Sequence, residues 1–378
     1  MGDAEPEEGP PPKKYDSLPV NKDLRTKGSV IGAILRGGKF DSSKAKDDFD
    51  SFYNKYFLSR WSVQEDIRNL PRCRQDLAGH FRTAKSGEVR DYLTRLVLDF
   101  LTKLVGGKYH PAVKVNAMLM IGELNRVEQA GKEAAVPLPE ALDVLIAAVK
   151  STKLSEGLRA TAMVGVLRHA SAGIQGGDAQ KKVSDAMLQL AGADLPTGSA
   201  PSGRAWIVAQ AVETLGALGS VGENNDVFTA IVKLAADAKL PFLVRCSAAD
   251  ALGRLSYSST SGIDPVETAV VLRQLAIDVC KEELRATKDT GTPVSRRRML
   301  HRLGAVRTAL DGDDEKTHKG IASLPAKDPA QQPFVAGLQK ALKEAVDVLD
   351  DKKKERDDMK PTVTGLQKEL EDLLPKKP

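Results

Sequence analysis

Residues 244–255 read VRCSAADALGRL, and the same layout returns four times elsewhere in the chain. It appears as VKVNAMLMIGEL at 113–124, LRATAMVGVLRH at 158–169, IVAQAVETLGAL at 207–218 and SRRRMLHRLGAV at 295–306. In register, Ala117, Ala162, Ala211, Ala248 and Met299 form one column, and Gly122, Leu167, Gly216, Gly253 and Gly304 stand five positions later. Successive members of the first column lie 37 to 51 residues apart. Small side chains on one helix face let a neighbouring helix approach closely, so this face is read as packed. Three residues before the column stand Lys114, Arg159, Val208, Arg245 and Arg296, basic in every copy but one. Pro111, Pro241 and Pro293 open three of the copies. Proline suits a first helical turn, where its missing N–H would be unpaired in any case.

Amphipathic stretches at 139–150, 180–191, 226–236 and 264–287 precede the later copies. Two helices per unit at this period predict an all-α fold of repeated helical hairpins. The register of Pro, Val-Arg, Ala and Leu-Gly-x-Leu resembles HEAT (armadillo-type) repeats over about 110–310. The chain as a whole resembles uncharacterised bacterial HEAT-repeat domain proteins. That resemblance implies a right-handed α-solenoid of about five HEAT-like hairpins, whose second helices line a concave face. It further implies a non-enzymatic scaffold for a protein partner, with Arg159, Arg168, Arg245, Arg254, Arg298 and Arg302 on the binding face.

Composition agrees with a helical chain. Hydrophobic residues make up 41% but aromatics only 4%, and tightly packed helices need fewer aromatics than β-sandwiches do. Residues 1–28 are charged and proline-rich, and are expected to be disordered. The aromatics concentrate in a helical block at 29–109. There Phe49, Phe52, Tyr53, Tyr56 and Phe57 keep helical spacing, between Phe40 and Trp61. An open-ended repeat array needs its apolar ends covered, so this block is expected to be a cap. Residues 311–333 read as a linker, and 334–378 as charged capping helices.

The net charge of +5 is small beside 56 basic and 51 acidic residues. One local excess stands out: Arg296, Arg297, Arg298, His301, Arg302 and Arg307, with no acidic residue between Asp289 and Asp311. A cationic strip of this kind could meet phosphates. The alternative function is therefore a nucleic-acid-binding module. HEAT-like DNA glycosylases are similar in architecture, although their basic groove also carries aromatics, which here lie far away in sequence. The competing explanation is that Arg296 fills the basic column and the others are solvated or paired.

Other motifs fail on spacing. Residues 32–39, GAILRGGK, miss the phosphate-binding loop by one position, and Phe40 stands where a metal-binding hydroxyl belongs. Gly106-Gly107-Lys108 lacks the earlier glycine. The acidic run from Asp311 has Lys316 where a calcium loop needs glycine. Ser43 and Lys46 match a serine–lysine pattern without its companion motifs. The five histidines are isolated, and no His-Glu pair of the HEAT-type deoxyhypusine hydroxylases occurs. No catalytic residue, metal or cofactor is assigned. Cys73, Cys246 and Cys280 are too scattered for a disulfide framework and are expected in the core. No signal or spanning segment is visible in the sequence, which implies a cytoplasmic protein by default, or an exported one if the chain is a processed form.

Overall fold

A computed structural model describes residues 14–85, 87–192, 203–257, 262–313, 318–354 and 358–375. Among the described residues the fold is all-α, with fifteen α-helices and one very short pair of strands. The chain divides between Ala172 and Gly173 into two compact units.

The first unit contains α1 (Gly28–Gly37), α2 (Ser43–Phe52), α3 (Leu70–Thr83), α4 (Glu88–Gly106) and α5 (Pro111–Glu123). A two-stranded hairpin follows, β1 (Asn125–Val127) pairing antiparallel with β2 (Val136–Pro137), and then α6 (Pro139–Lys150) and α7 (Glu156–Ser171). The helix starts follow local chemistry. Ser42 accepts from the Ala45 N–H at the head of α2, and His110 accepts from the Ala112 N–H ahead of Pro111 in α5. Each cap satisfies one of the donors that a helix start leaves unpaired. Helix α4 packs on α5, α5 on α7, and α6 on α7.

The aromatic block is buried as expected, but it is not one continuous α-helix. Helix α2 ends at Phe52 and passes into a π turn over Tyr53–Phe57, closed by Leu58 N–H to the Tyr53 carbonyl at 2.9 Å. The wider turn rotates Phe57 inward beside Tyr53 and leaves Tyr56 half-exposed. His80 of α3 completes the cluster. Its Nδ1 is hydrogen-bonded to the Tyr53 hydroxyl at 2.8 Å, and its ring stacks on Phe57 at 4.5 Å.

Of the N-terminal segment expected to be disordered, residues 1–13 lie outside the described residues. Residues 14–28 differ from the expectation. Asp16 N–H bonds to the Lys108 carbonyl, Leu18 N–H to Ser62 Oγ, and Asn21 N–H to the Lys55 carbonyl. A 3₁₀ turn over Lys22–Lys27 then runs into α1. Composition concealed this because the segment is held by backbone pairing and by Tyr15 edge-on to His110, not by an apolar face of its own.

The second unit contains α8 (Gly177–Ala191), α9 (Gly203–Leu218), α10 (Asp226–Ala236), α11 (Phe242–Leu252), α12 (Pro265–Thr290), α13 (Arg296–Asp311), α14 (Gln332–Asp350) and α15 (Lys360–Asp372). Two rows run through it. Helices α9, α11, α13 and α14 pack in succession, as do α8, α10, α12 and α15. The stretch between α13 and α14, expected to be a linker, is tied down where described. Gly312 bridges to Lys319, and Ile321 is buried against α13.

The repeated columns are what the rows rest on. Ala117, Ala162, Ala211, Ala248 and Met299 are all fully buried. A Cβ on Gly122 would lie 2.9 Å from the Gly165 Cα of α7, and one on Gly216 2.9 Å from the Ala251 Cα of α11. One on Gly253 would run into the Thr308 carbonyl of α13. Backbone meets backbone at these points, so no larger side chain fits without separating the helices. The α7 member of the contact is Gly165, two residues before the aligned Leu167. Val208 replaces the basic residue in the third copy because it packs with Ala205, Ala209 and Val244.

Candidate interaction surface

The last carbonyls of an α-helix have no partner within the helix and carry partial negative charge. A guanidinium offers five donors in a planar fork and suits such a carbonyl end. Much of the expected binding face does this work inside the fold. On α7, Arg159 Nε donates to the Val149 carbonyl at the end of α6, at 3.0 Å. On α11, Arg245 Nε donates to the Ala235 carbonyl at the end of α10, at 3.1 Å. Both acceptors stand ten residues upstream of their arginine. In the same column, Arg296 of α13 reaches forward to the Leu349 and Val348 carbonyls at the end of α14.

Arginines outside the column repeat the arrangement. Arg168 donates to the Gly122 carbonyl of α5 at 2.9 Å and to the Asn125 side chain. Burial lowers its pKa, with Glu123 and Glu128 pulling the other way. Arg90 of α4 meets the Phe81 carbonyl near the end of α3 at 3.3 Å and Glu128 at 3.1 Å. Arg273 of α12 donates to the Leu370 and Glu371 carbonyls of α15 at 2.6 and 3.0 Å.

Ion pairs engage most of the remainder. Arg245, only 3% exposed, also pairs with Asp278 at 2.8 Å. Arg254 pairs with Asp250 at 2.8 Å, and Arg307 with Asp311 at 3.2 Å and Asp347 at 3.6 Å. Arg298 forms a two-pronged bond to Glu283 at 2.6 and 2.9 Å. Glu283 is 1% exposed and also accepts the Ser295 N–H at 2.6 Å. Burial alone would raise the Glu283 pKa, but Arg298, the Ser295 N–H and Arg302 together hold it below the usual carboxylate value. Arg302 lies 4.5 Å over the Phe242 ring, with Arg245 5.5 Å from the same ring. Its buried Nη1 has no hydrogen-bond partner, and burial lowers its pKa.

No protein-family model matches the sequence, and no curated protein matches it. The geometry must therefore speak alone. Within each unit, most of the expected arginines are engaged by carbonyls or carboxylates of the fold. Arg297 is exposed and, among the described residues, makes no ion pair, and its neighbour His301 is exposed as well. Among the described residues, no group of three or more His, Cys, Asp and Glu could hold a metal ion. The three cysteines are free and buried, as expected. No helix is long and apolar enough to cross a membrane among the described residues. Sequence reasoning passed over Lys22, Arg25, Arg60 and Arg72, which line one cavity of the first unit, because they are dispersed through two short turns and the start of α3. A cavity-lining set of that kind leaves no run of charge in the sequence.

Proposed function

We propose that the chain is a non-enzymatic interaction scaffold, built from HEAT-like hairpins in a right-handed α-solenoid arrangement, that presents its second helices to a protein partner. The backbone approach at the small-residue column carries this reading: Gly122 to Gly165, Gly216 to Ala251 and Gly253 to Thr308. Such contacts stack one hairpin on the next, and stacked hairpins generate extended faces. The arginine clamps support it too, since they fix each hairpin without drawing on a bound group.

The second-helix side chains open to a partner include Arg254, half-exposed beside Asp250, and the exposed Arg297. The test is affinity capture on the immobilised full chain, quantified against an Arg254→Glu, Arg297→Glu variant. The expected result is a specific protein partner whose capture falls about tenfold in the variant, as loss of a few rim and core contacts produces. Capture of the same set by both forms would overturn the reading. So would salt-dependent binding of a labelled duplex, which would favour a nucleic-acid partner instead.

A further inference from the structure

A cavity in the first unit, far in sequence from the arginine column, has a volume of about 780 Å³. That is within the range of sites for small ligands. Its walls come from the 3₁₀ turn before α1, the π turn with the residues that follow it, and the first turns of α3. Four cations line it: Lys22, Arg25, Arg60 and Arg72. Among the described residues, none of the four makes an ion pair within 4 Å, although Glu65, Asp66 and Asp76 line the same cavity. Elsewhere Arg74, Arg90, Arg245, Arg298 and Arg307 each hold a carboxylate, whereas these four, like Arg297, do not.

Cys73 lies at the cavity floor, 4% exposed, and burial raises its pKa. The fields of Arg60 and Arg72 oppose that rise, and those of Asp76 and Asp66 add to it. Both signs are thus presented together near the thiol. Arg60 is held in position by the Tyr56 ring, 5.7 Å from its guanidinium carbon. Guanidinium groups bind phosphate oxygens through two parallel N–H bonds, and carboxylates accept from hydroxyl groups. The carboxylates also repel any further anionic group on the ligand.

We propose that this cavity binds a small phosphomonoester of a hydroxylated molecule, with the phosphate on Arg60 and Arg72 and the hydroxyls on Asp66 and Asp76. Lys22 and Arg25, exposed at the rim, draw the anion in. The site is independent of the scaffold reading and stands or falls without it.

The test is calorimetric titration of the full chain with ribose 5-phosphate, inorganic phosphate and tripolyphosphate. Hydrogen exchange of residues 56–76 is measured in parallel. Ribose 5-phosphate is expected to bind most tightly and to slow exchange across that segment. Arg60→Ala and Arg72→Ala are each expected to weaken it about tenfold, the scale of one charge-assisted bond. Arg285→Ala, an exposed arginine of the other unit, is expected to leave binding unchanged. Asp66→Asn with Asp76→Asn is expected to reduce the preference for the sugar phosphate over inorganic phosphate. The proposal is overturned by the absence of both heat and exchange protection at about 10 mM ligand, a threshold weaker than any functional affinity. It is also overturned if tripolyphosphate binds more tightly than the monoester, or if binding survives both arginine substitutions. The exchange readout on the unaltered chain decides the matter even if a variant fails to fold.

Discussion

His169 sits on α7 at 4% exposure, and its Nε2 has no hydrogen-bond partner. Burial, and then repulsion from Arg168, lowers its pKa to about 4. A folded-state value below the unfolded one means that the unfolded chain binds the proton more readily. Stability from this group is full above about pH 6.5 and is lost as the pH falls toward 4, by about 3 kcal/mol in all. His80, also lowered by burial, acts in the same direction. Urea midpoints measured from pH 7 to 4 are expected to fall, and a His169→Leu variant to fall less steeply. At Arg298 the concern is the partner left behind. Arg298→Ala removes two bonds from the buried Glu283 and is expected to cost about 2 kcal/mol, because an ionised group without its cation is costly to bury. Adding Glu283→Gln is expected to recover part of that loss in the same unfolding measurement, whereas an additive loss would show that the pair is not coupled.

At the scale of elements, the glycine column divides into tight and open members. Gly216→Val must displace the Ala251 backbone and is expected to lower stability by about 3 kcal/mol, the upper range of overpacking. Gly304 occupies the same column, yet a Cβ there would meet nothing within 4 Å. Gly304→Ala is therefore expected to stabilise α13 by up to about 1 kcal/mol through helix propensity alone. Thermal melts of the two variants check both signs. The helices themselves were legible in the sequence: 139–150 and 226–236 coincide with α6 and α10, since periodicity and end residues are local signals. The π turn after Phe52 was not legible, because the aromatic spacing that suggested a continuous helix is nearly satisfied by the wider turn. Nor was the β1–β2 hairpin, whose strands span three and two residues and whose Asn125 and Glu128 are bonded by Arg168 of α7 and Arg90 of α4. The basic column could be read as a column, but not as a set of clamps. A guanidinium facing solvent and one facing a helix end have the same sequence, and only the placement of the carbonyls separates them.

At the scale of the whole molecule, the second unit finishes with the order of its helices exchanged. Helix α14 joins the row of α13, and α15 returns to pack on α12. Arg296 and Arg273 fasten the ends of these two helices. A chain shortened after Ser323 would uncover the apolar side of α13 and free both guanidinium groups. Amide exchange in α12 and α13 is expected to accelerate at least tenfold, matching a loss of about 1.4 kcal/mol or more of local stability. Unchanged exchange would show that the final helices are ornament. The clamps also divide the protein's arginines into two populations under substitution by lysine. Lysine keeps the charge but has a single flexible ammonium in place of a planar fork. In a library of such swaps, Arg297 should tolerate the change freely, whereas Arg159, Arg245, Arg273 and Arg296 should be depleted under selection for folding. Two chains with the same net charge and the same charge at every position would then differ in whether their helices hold together.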